Sequence, residues 1–429
     1  MKRMETLNQL KPFQARAIIE ELRKGSVPAD YVPFFTVGRD RWLTFIQDDL
    51  ESYIAEGGAK VRFLSGDYGD GKTHFMSVIR HMALQSDFAV SFVVLTREIP
   101  IHKFEAVYQA ICRQLRGRFS GAGIRDLLTW WLDDLVQKKT VTMEQLADLA
   151  ETLRNLPDMN VNFANALAAL AYNRFVPLEE GEQQEQRDTG REVILHWFEA
   201  GKVTKRELKP FGIFEVVNKT NSKQMLNSLN AFLRFTGHKG LILLLDELET
   251  VIAQSASVRN AAYENVRLLI DNSEQAQYFH IFFAIIPDVL LSEKGFKSYD
   301  ALWSRVRSIG QKTRLNYRGV LIDLHRTPLT TKELLELGRC LRRIHEISYR
   351  WDAAATVPDK LITDICKNQD KMGLLSEVRL FVKQIIRLLD MAEQGEEPAE
   401  TLDLADHVAV SQQEMEAEKV KQLQPSWDN

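Results

Sequence analysis

The stretch that decides the fold is KVRFLSGDYGDGKTHFMSVIR, residues 60–80. Half of its first six residues are apolar, and the run leads directly into a glycine-rich loop, which is typical of a buried strand. From residue 72 onward the apolar residues return at helical spacing. A second strand pattern, FAVSFVVL (88–95), and a helical pattern at 103–115 follow. Because consecutive parallel strands need a crossover connection, this order predicts a parallel sheet.

The rest of the chain divides into strand-rich and helix-rich parts. Strand patterns return at LILLLDE (241–247), HIFFAIIP (280–287) and GVLIDLH (319–325). Between 117 and 236 the periodicity is helical, and its polar stretch 179–190 is predicted to be a loop. The chain is helical again from about 330. We therefore expect an α/β protein with a parallel five-stranded sheet flanked by helices, a large all-α insertion and a helical C-terminal lid.

These patterns suggest domain boundaries for a chain of 429 residues, which is long enough for two to three packed units at roughly 150 residues each. The predicted parts are a helical lead-in (1–57), the first half of the sheet core (58–116), the helical insertion (117–236), the second half of the core (237–328), the lid (329–410) and a polar tail (411–429).

Composition excludes several classes of protein. Lys plus Arg total 55 against 59 Asp plus Glu, so the net charge of −4 predicts no nucleic-acid or membrane partner for the chain as a whole. Any such surface must be local. The three cysteines, Cys112, Cys340 and Cys366, lack zinc-site spacing and suggest a reducing cytoplasm. No signal segment or apolar run long enough to cross a bilayer is visible, so we expect a cytoplasmic protein without membrane contact.

The loop GDYGDGKT fits the pattern G-x-x-x-x-G-K-[ST] between a predicted strand and a predicted helix. Its glycines allow successive backbone amides to turn toward a phosphate, and the helix start adds a positive dipole end. Lys72 is expected to contact the β and γ phosphates, and the Thr73 hydroxyl to ligate Mg²⁺. The candidate nucleotide-binding residues here are Gly66, Asp67, Tyr68, Gly69, Asp70, Gly71, Lys72, Thr73 and His74.

An acidic pair follows the apolar run Leu241–Leu245. The carboxyl ends of parallel strands form the ligand-binding edge of such sheets, so both carboxylates should lie near the phosphate loop. We expect Asp246 to hold Mg²⁺ and Glu247 to orient or deprotonate the attacking water. Glu249 reads more simply as a carboxylate at a helix start.

The next strand pattern ends in Ile286 and Pro287, where a polar side chain that senses the γ phosphate is expected. Beyond it, residues 294–318 carry seven Lys or Arg and one acid. Arg305 or Arg307 could reach a neighbouring subunit's nucleotide as an arginine finger. The stretch could instead bind nucleic-acid phosphates, or be an ordinary solvated face with salt bridges.

One further arginine, Arg379, precedes the helical pattern LFVKQIIRLLD. From the lid it could fold over a bound nucleotide and couple hydrolysis to domain movement, or it could be a surface residue.

Together the loop GDYGDGKT, the strand LLLLDELE, the segment VGRD (37–40) and the helical C-terminal region resemble P-loop ATPases of the AAA+ and initiator-like group. More narrowly, ARAIIEELRKGSVPADYVPFFTVGRDRWL, VTKRELKPFGIFEVVN (203–218) and RLFVKQIIRLLD are similar to the ATP-binding proteins of bacteriophage-exclusion (BREX-type) defence systems and related antiviral operons. The resemblance covers roughly residues 10–395.

The resemblance implies an AAA+-like sheet, ATP with Mg²⁺, a homo-oligomer, and partners encoded in the same operon, such as a helicase. It also implies that Arg39 lies on the adenine side of the site. The apolar Ile286 suggests slow hydrolysis. Three functions stay open: an ATPase that remodels or assembles a defence complex on nucleic acid, an ATP-dependent switch or scaffold, and a DNA-binding adaptor that recruits a helicase or nuclease.

Overall fold

The computed structural model describes residues 7–137, 142–178, 183–272, 277–307 and 315–395. At its centre lies a six-stranded sheet with the strand order β3-β2-β4-β5-β1-β6. The strands are β1 (Ala59–Ser65), β2 (Ala89–Val94), β3 (Leu115–Arg116), β4 (Leu241–Asp246), β5 (Phe279–Ile285) and β6 (Leu321–Asp323).

The sheet is mixed, which corrects the expectation of five parallel strands. The neighbouring strands β2, β4, β5, β1 and β6 pair in parallel, but β3 pairs with β2 in antiparallel orientation. Only Leu115 and Arg116 form β3, opposite Ser91 and Val90. Two residues are too few to show the alternation of a strand, so the sequence pattern merged Leu115 into the preceding helix.

Helices surround this sheet. Before the insertion lie α1 (Pro12–Arg23), α2 (Asp40–Asp49, continued by a π-helical turn at Leu50–Ile54), α3 (Lys72–Gln85) and α4 (Phe104–Gln114). The insertion between β3 and β4 contains α5 (Ile124–Gln137), α6 (Met143–Arg154), α7 (Val161–Phe175), α8 (Gln184–Phe198), α9 (Lys205–Leu208) and α10 (Ser222–Phe235).

The second half of the chain continues with α11 (Ala256–Asn272), α12 (Pro287–Leu291), α13 (Asp300–Val306), α14 (Thr331–Tyr349), α15 (Ala353–Thr356), α16 (Asp359–Lys371) and α17 (Val378–Glu393). Short 3₁₀ turns lie at Ala29–Phe34, Lys209–Phe211, Leu248–Val251 and Phe296–Ser298. Within the described ranges, no helix is both long enough and apolar enough to cross a bilayer.

Strand β4 is buried on both faces, which explains its uninterrupted apolar sequence. Leu243 and Leu245 belong to a hydrophobic cluster that continues into the insertion. Ile242 and Leu244 belong to a second cluster, together with residues of α2 and α3. Because a hydrophobic cluster packs on each face of the strand, its carboxyl end places Asp246 at a defined position.

One part of the insertion differs from its prediction. The polar stretch 179–190 was expected to be a loop, but α8 begins at Gln184; residues 179–182 lie outside the described ranges. Arg187 of this first turn is buried and donates hydrogen bonds to the carbonyl oxygens of Val176 and Pro177. A solvated helix face has the same polar composition as a loop, so composition alone could not distinguish them.

The N-terminal helix packs against the C-terminal helices rather than against the sheet. Ile18 and Ile19 of α1 share a hydrophobic cluster with residues of α14 and α17. Arg23 donates to both carboxylate oxygens of Asp390, at 2.9 and 2.7 Å. Residues 396–410 of the predicted lid and the predicted tail 411–429 lie outside the described ranges.

Gly240 enters β4 with a φ of 149°, and a Cβ there would lie far inside contact distance of the Tyr278 carbonyl oxygen. We expect Gly240→Ala to lower the free energy of unfolding by about 3 kcal/mol, because backbone must move to relieve the clash. Gly373 is the control, since its φ is also positive but nothing lies within 4 Å of an added Cβ. Gly373→Ala should cost about 1 kcal/mol. Equal losses in urea denaturation would contradict this account.

Candidate functional site

The glycine-rich loop joins the carboxyl end of β1 to the first turn of α3 and curls around a lysine. Gly69 and Gly71 have positive φ values of 96° and 87°, which favour glycine. Lys72 is buried, and its Nζ donates to the carbonyl oxygens of Gly66 at 2.8 Å and Asp67 at 3.3 Å. A buried ammonium needs partners, and here the loop's own carbonyl groups supply them.

Asp70 holds the loop from inside. Its side chain is fully buried, and Oδ2 accepts a hydrogen bond of 2.7 Å from the Asp67 amide. Burial is the largest influence on this carboxyl and raises its pKa. A Cβ on Gly66 would stand only 3.1 Å from the Asp70 side chain, so a larger residue there would have to displace Asp70 slightly. The loop shape therefore depends on internal contacts as well as on its glycines.

The two sequence motifs meet across the sheet. Thr73 Oγ1 donates to Asp246 Oδ2 at 2.8 Å, while Asp246 Oδ1 accepts from the Glu247 amide at 2.9 Å. Strand β5 lies between β1 and β4, so the loop helix must reach over one strand to make this contact. Thr73 and Asp246 could hold Mg²⁺, because hydroxyl and carboxylate oxygens are the ligands that this ion prefers.

Glu247 has a left-handed backbone conformation with φ 63°, at the start of the turn Leu248–Val251. It is half-buried, and burial first and the neighbouring Asp246 second raise the pKa of its carboxyl. Lys72 and Arg379 oppose this shift by favouring the charged form. The Glu247 carboxylate thus has a raised affinity for a proton. It lies at the carboxyl end of β4, beside the glycine-rich loop.

Glu249 is the residue whose environment the sequence did not reveal. It does stand at the start of a 3₁₀ turn, as expected, but it is only 5% exposed, and neither carboxylate oxygen has a hydrogen-bond partner. Burial is the main cause that raises its pKa to about 7, opposed by nearby Lys72 and reinforced by Glu247. A buried carboxyl without a hydrogen-bond donor favours the protonated form.

A cavity of about 410 Å³ opens beside the loop. One end is polar and is lined by loop residues 67–73 with Asp246 and Glu247. The other end is apolar and lies between the N-terminal segment and the C-terminal helices, with lining residues that include Val27, Phe35, Leu43, Leu329, Leu337 and Val382. An anion and a flat apolar group could therefore bind side by side.

Two arginines lie at the border between these ends. Arg39 donates to the Asp70 carbonyl oxygen at 2.6 Å, and burial lowers its pKa to about 10, so it stays charged at neutral pH. The Arg379 amide donates to the Gly69 carbonyl oxygen at 3.2 Å. An added Cβ on Gly25 would lie 2.9 Å from the Arg379 guanidinium, so the arginine is enclosed between two turns. Both residues line the cavity. Their contact with a nucleotide stays a prediction.

His74 also lines the cavity, and its hydrogen bond defines its tautomer. Thr36 Oγ1 donates to the Val32 carbonyl oxygen at 2.6 Å, so the same hydroxyl must accept from His74 Nε2 at 3.0 Å. Burial, with Arg39 nearby, lowers the histidine pKa to about 4. His74 is therefore neutral at physiological pH and acts as a hydrogen-bond donor to the segment before α2.

The remaining candidates do not line this cavity in the described part of the chain. Arg305 on α13 forms an ion pair with Asp271 of α11, and Arg307 is exposed at the end of α13. The carboxyl end of β5 presents buried Ile286, and the next polar side chain is the exposed Asp288. No sensor side chain is thus found at that strand end.

His325, after β6, is a second residue that the sequence did not point to. Its Nδ1 lies 3.5 Å from Asp67 Oδ2 and 3.7 Å from Asp70 Oδ2. Of the His, Cys, Asp and Glu side chains in the described ranges, these three form a group close enough to share an ion. His325 and Asp67 are exposed, and an acidic group of this kind is no evidence of a metal by itself. No sequence pattern predicted this contact, because β6 lies far from the glycine-rich loop in the chain.

The buried Glu249 gives the apo protein a pH-dependent stability. The pKa of Glu249 rises from 4.5 to about 7 on folding. Its buried charge therefore does not lower the free energy of unfolding below pH 4.5, and lowers it increasingly as pH rises toward 7. We expect Glu249→Gln to raise the free energy of unfolding by about 3 kcal/mol near pH 8 and by about 1 kcal/mol near pH 5.5. Exposed Glu293 provides the control variant Glu293→Gln, which should change neither value. Thermal unfolding that shows no gain for Glu249→Gln at the higher pH would contradict this.

Comparison with known proteins agrees with the motifs. A family model described as BREX system ATP-binding protein BrxC/D matches residues 10–407, which is nearly the whole chain. No curated protein and no solved structure matches. The family resemblance inferred from the motifs is confirmed by this match. The chain belongs to the BREX system ATP-binding protein BrxC/D family.

Proposed function

We propose that this protein binds Mg-ATP in the cavity beside the glycine-rich loop and hydrolyses it slowly, as the nucleotide-driven component of a prokaryotic anti-phage complex. The observation that carries the proposal is the 2.8 Å hydrogen bond from Thr73 to Asp246. Two motifs that are far apart in sequence converge there on one point. That point is where a P-loop NTPase of the AAA+ type needs its metal.

The shape and charge of the cavity support a triphosphate with an adenine base. The phosphates would lie against the amides of residues 69–73 and the N-terminal end of α3, and Lys72 would exchange its carbonyl partners for phosphate oxygens. The base would occupy the apolar end. Arg39 and Arg379, which both line the cavity, would face the nucleotide.

When bound, Mg²⁺ would neutralise charge on the phosphates and orient the terminal one. Thr73 and Asp246 would hold it. Glu247 would then orient the attacking water and accept its proton, for which a raised pKa is suitable. Ile286 offers no polar contact to the γ phosphate, which supports a low turnover.

Arg305 and Arg307 are the candidates for action in a neighbouring subunit of a homo-oligomer. Arg305 would first have to leave Asp271, which it binds in the isolated chain. Arg307 is exposed and makes no ion pair with another described residue, so it is the better placed of the two. An arginine supplied in trans would stabilise charge in the transition state.

A switch or scaffold is the second candidate function. The enclosed position of Arg379, between Gly25 and Gly69, supports it, because nucleotide binding would act directly on α17 and α1. Partners would be other proteins of the same cytoplasmic defence system, such as a helicase. In that case binding matters and hydrolysis is incidental.

Lys72→Ala and Glu247→Gln separate binding from chemistry. We expect Lys72→Ala to weaken Mg-ATP binding at least about 10-fold, because it removes the buried charge that faces the phosphates. Glu247→Gln should keep affinity within about 3-fold and lower turnover about 100-fold or more. Calorimetry and phosphate release measure the two quantities. Unchanged ATP affinity in Lys72→Ala would overturn the proposed site. Full turnover of Glu247→Gln would overturn the role of Glu247.

For the arginines, we expect Arg307→Ala to lower turnover of the assembled protein about 10-fold or more without changing ATP affinity. Mixing inactive Lys72→Ala chains with Arg307→Ala chains should restore activity, because each supplies what the other lacks. The control is Lys297→Ala, an exposed cation on the same stretch. If Arg307→Ala keeps full turnover while Arg305→Ala loses it, the finger is Arg305.

A further inference from the structure

An exposed basic segment, residues 202–219, lies in the insertion away from the nucleotide cavity's lining. It carries five cations against two acids, Glu207 and Glu215, in a chain whose net charge is −4. All five cations are exposed, and none forms an ion pair with a residue in the ranges that the structure describes. They are Lys202, Lys205, Arg206, Lys209 and Lys219.

The backbone of this segment is held in place although most of it is irregular. Leu208 and Ile213 are fully buried, and the Ile213 amide donates to the Leu208 carbonyl oxygen at 3.4 Å. These two residues anchor the segment in the core of the insertion. Lys205 and Lys209 are four residues apart across one helical turn, so both point to the same side.

Side chains of the neighbouring helices bind the turn that follows. The Phe214 amide donates to Asn162 Oδ1 at 2.8 Å, and Trp197 Nε1 donates to the Glu215 carbonyl oxygen at 2.7 Å. Asn165 Nδ2 donates to the Gly212 carbonyl oxygen at 2.8 Å. The backbone on both sides of Phe214 is thus tied to α7 and α8.

Phe214 itself is 59% exposed on this tied backbone. An exposed ring on a fixed turn loses little conformational entropy when a flat partner stacks on it. Cations that bind phosphates beside an aromatic ring that can stack on a base are the two elements of single-strand recognition. Inside a duplex the base faces are covered by stacking, so the ring favours a single strand over the interior of a duplex.

The basic stretch 294–318 offers less for such binding. Arg305 is paired with Asp271, and Arg318 is paired with Asp48 at 2.8 Å. The guanidinium of Arg318 also covers the ring of Phe45 at 5.0 Å. Residues 308–314 lie outside the described ranges. Two of the five cations described there are thus engaged within the protein.

We propose that the basic segment binds single-stranded nucleic acid, with Lys205, Arg206 and Lys209 on phosphates and one base stacked on Phe214. This surface is independent of the nucleotide cavity, so it does not require the proposed ATPase activity. It would give an ATP-binding protein of a defence system its own contact with an opened phage or host strand.

The test is fluorescence anisotropy of the full chain with a labelled oligothymidylate of about 20 nucleotides and with a duplex of the same length. We expect Phe214→Ala to weaken single-strand binding about 5- to 100-fold and leave duplex binding nearly unchanged. Phe214→Trp should retain binding, because it keeps a stacking ring. Lys205→Glu with Arg206→Glu should weaken binding and lower the magnitude of the salt slope by about 1.4.

Two variants are matched controls. Phe13→Ala removes an aromatic ring that is 66% exposed on α1, and Lys294→Glu with Lys297→Glu reverses two charges on the competing stretch. Both should bind the single strand like the wild type. The proposal is overturned if the wild type binds no single strand at roughly 50 mM salt, if Phe214→Ala binds unchanged, or if the controls weaken binding equally. An acidic protein partner would then be the better occupant.

Discussion

The wrapping of the glycine-rich loop around the Lys72 ammonium is the interaction on which the candidate site depends. A buried positive charge is unstable without partners, and the carbonyl oxygens of Gly66 and Asp67 provide them in the structure. The same contacts hold the loop in its curled form. Asp70, buried beneath the loop, accepts from the Asp67 amide and secures it from the other side. A preorganised loop spends little binding energy on its own ordering.

Around this loop, two packed bodies meet. The sheet positions Asp246 and Glu247, while α1 and the C-terminal helices form a separate hydrophobic cluster that provides the apolar end of the cavity. The contacts between the bodies include the Arg379 amide on Gly69 and the Arg39 guanidinium on the Asp70 carbonyl. A ligand that binds between them must touch both. A ligand in this cavity would therefore couple the sheet to these helices.

In this protein the local distribution of charge, and not the net charge, indicates where a partner could bind. The net value of −4 conceals a cationic cluster in the insertion and an acidic edge at the site. Where cations have acidic neighbours, as Arg305 has in Asp271, they contribute to packing between helices. Where they have none in the described chain, as on the basic segment, they are available for a partner. Membership of an ATP-binding defence family is consistent with a chain that combines a cavity beside a glycine-rich loop with such a surface.

Local sequence patterns predicted the parts of the fold that depend on residues close together in the chain. The loop motif, the acidic pair and most helices of the insertion follow from short-range spacing, and Lys72, Thr73, Asp246 and Glu247 were found together where parallel strands end. The two-residue strand β3 and the true start of α8 were missed, because neither has a distinctive pattern. The roles assigned to the site residues remain predictions.

The sequence by itself determined the glycine-rich loop, the buried strand that carries the carboxylates, and the family. Only the tertiary structure decided that Glu249 is buried without partners, that Arg305 is held by Asp271, and that Phe214 stands exposed on a tied backbone. The physical reason is that motifs and periodicity arise from neighbours along the chain. Burial and pairing arise instead from residues brought close by folding, which no local pattern encodes.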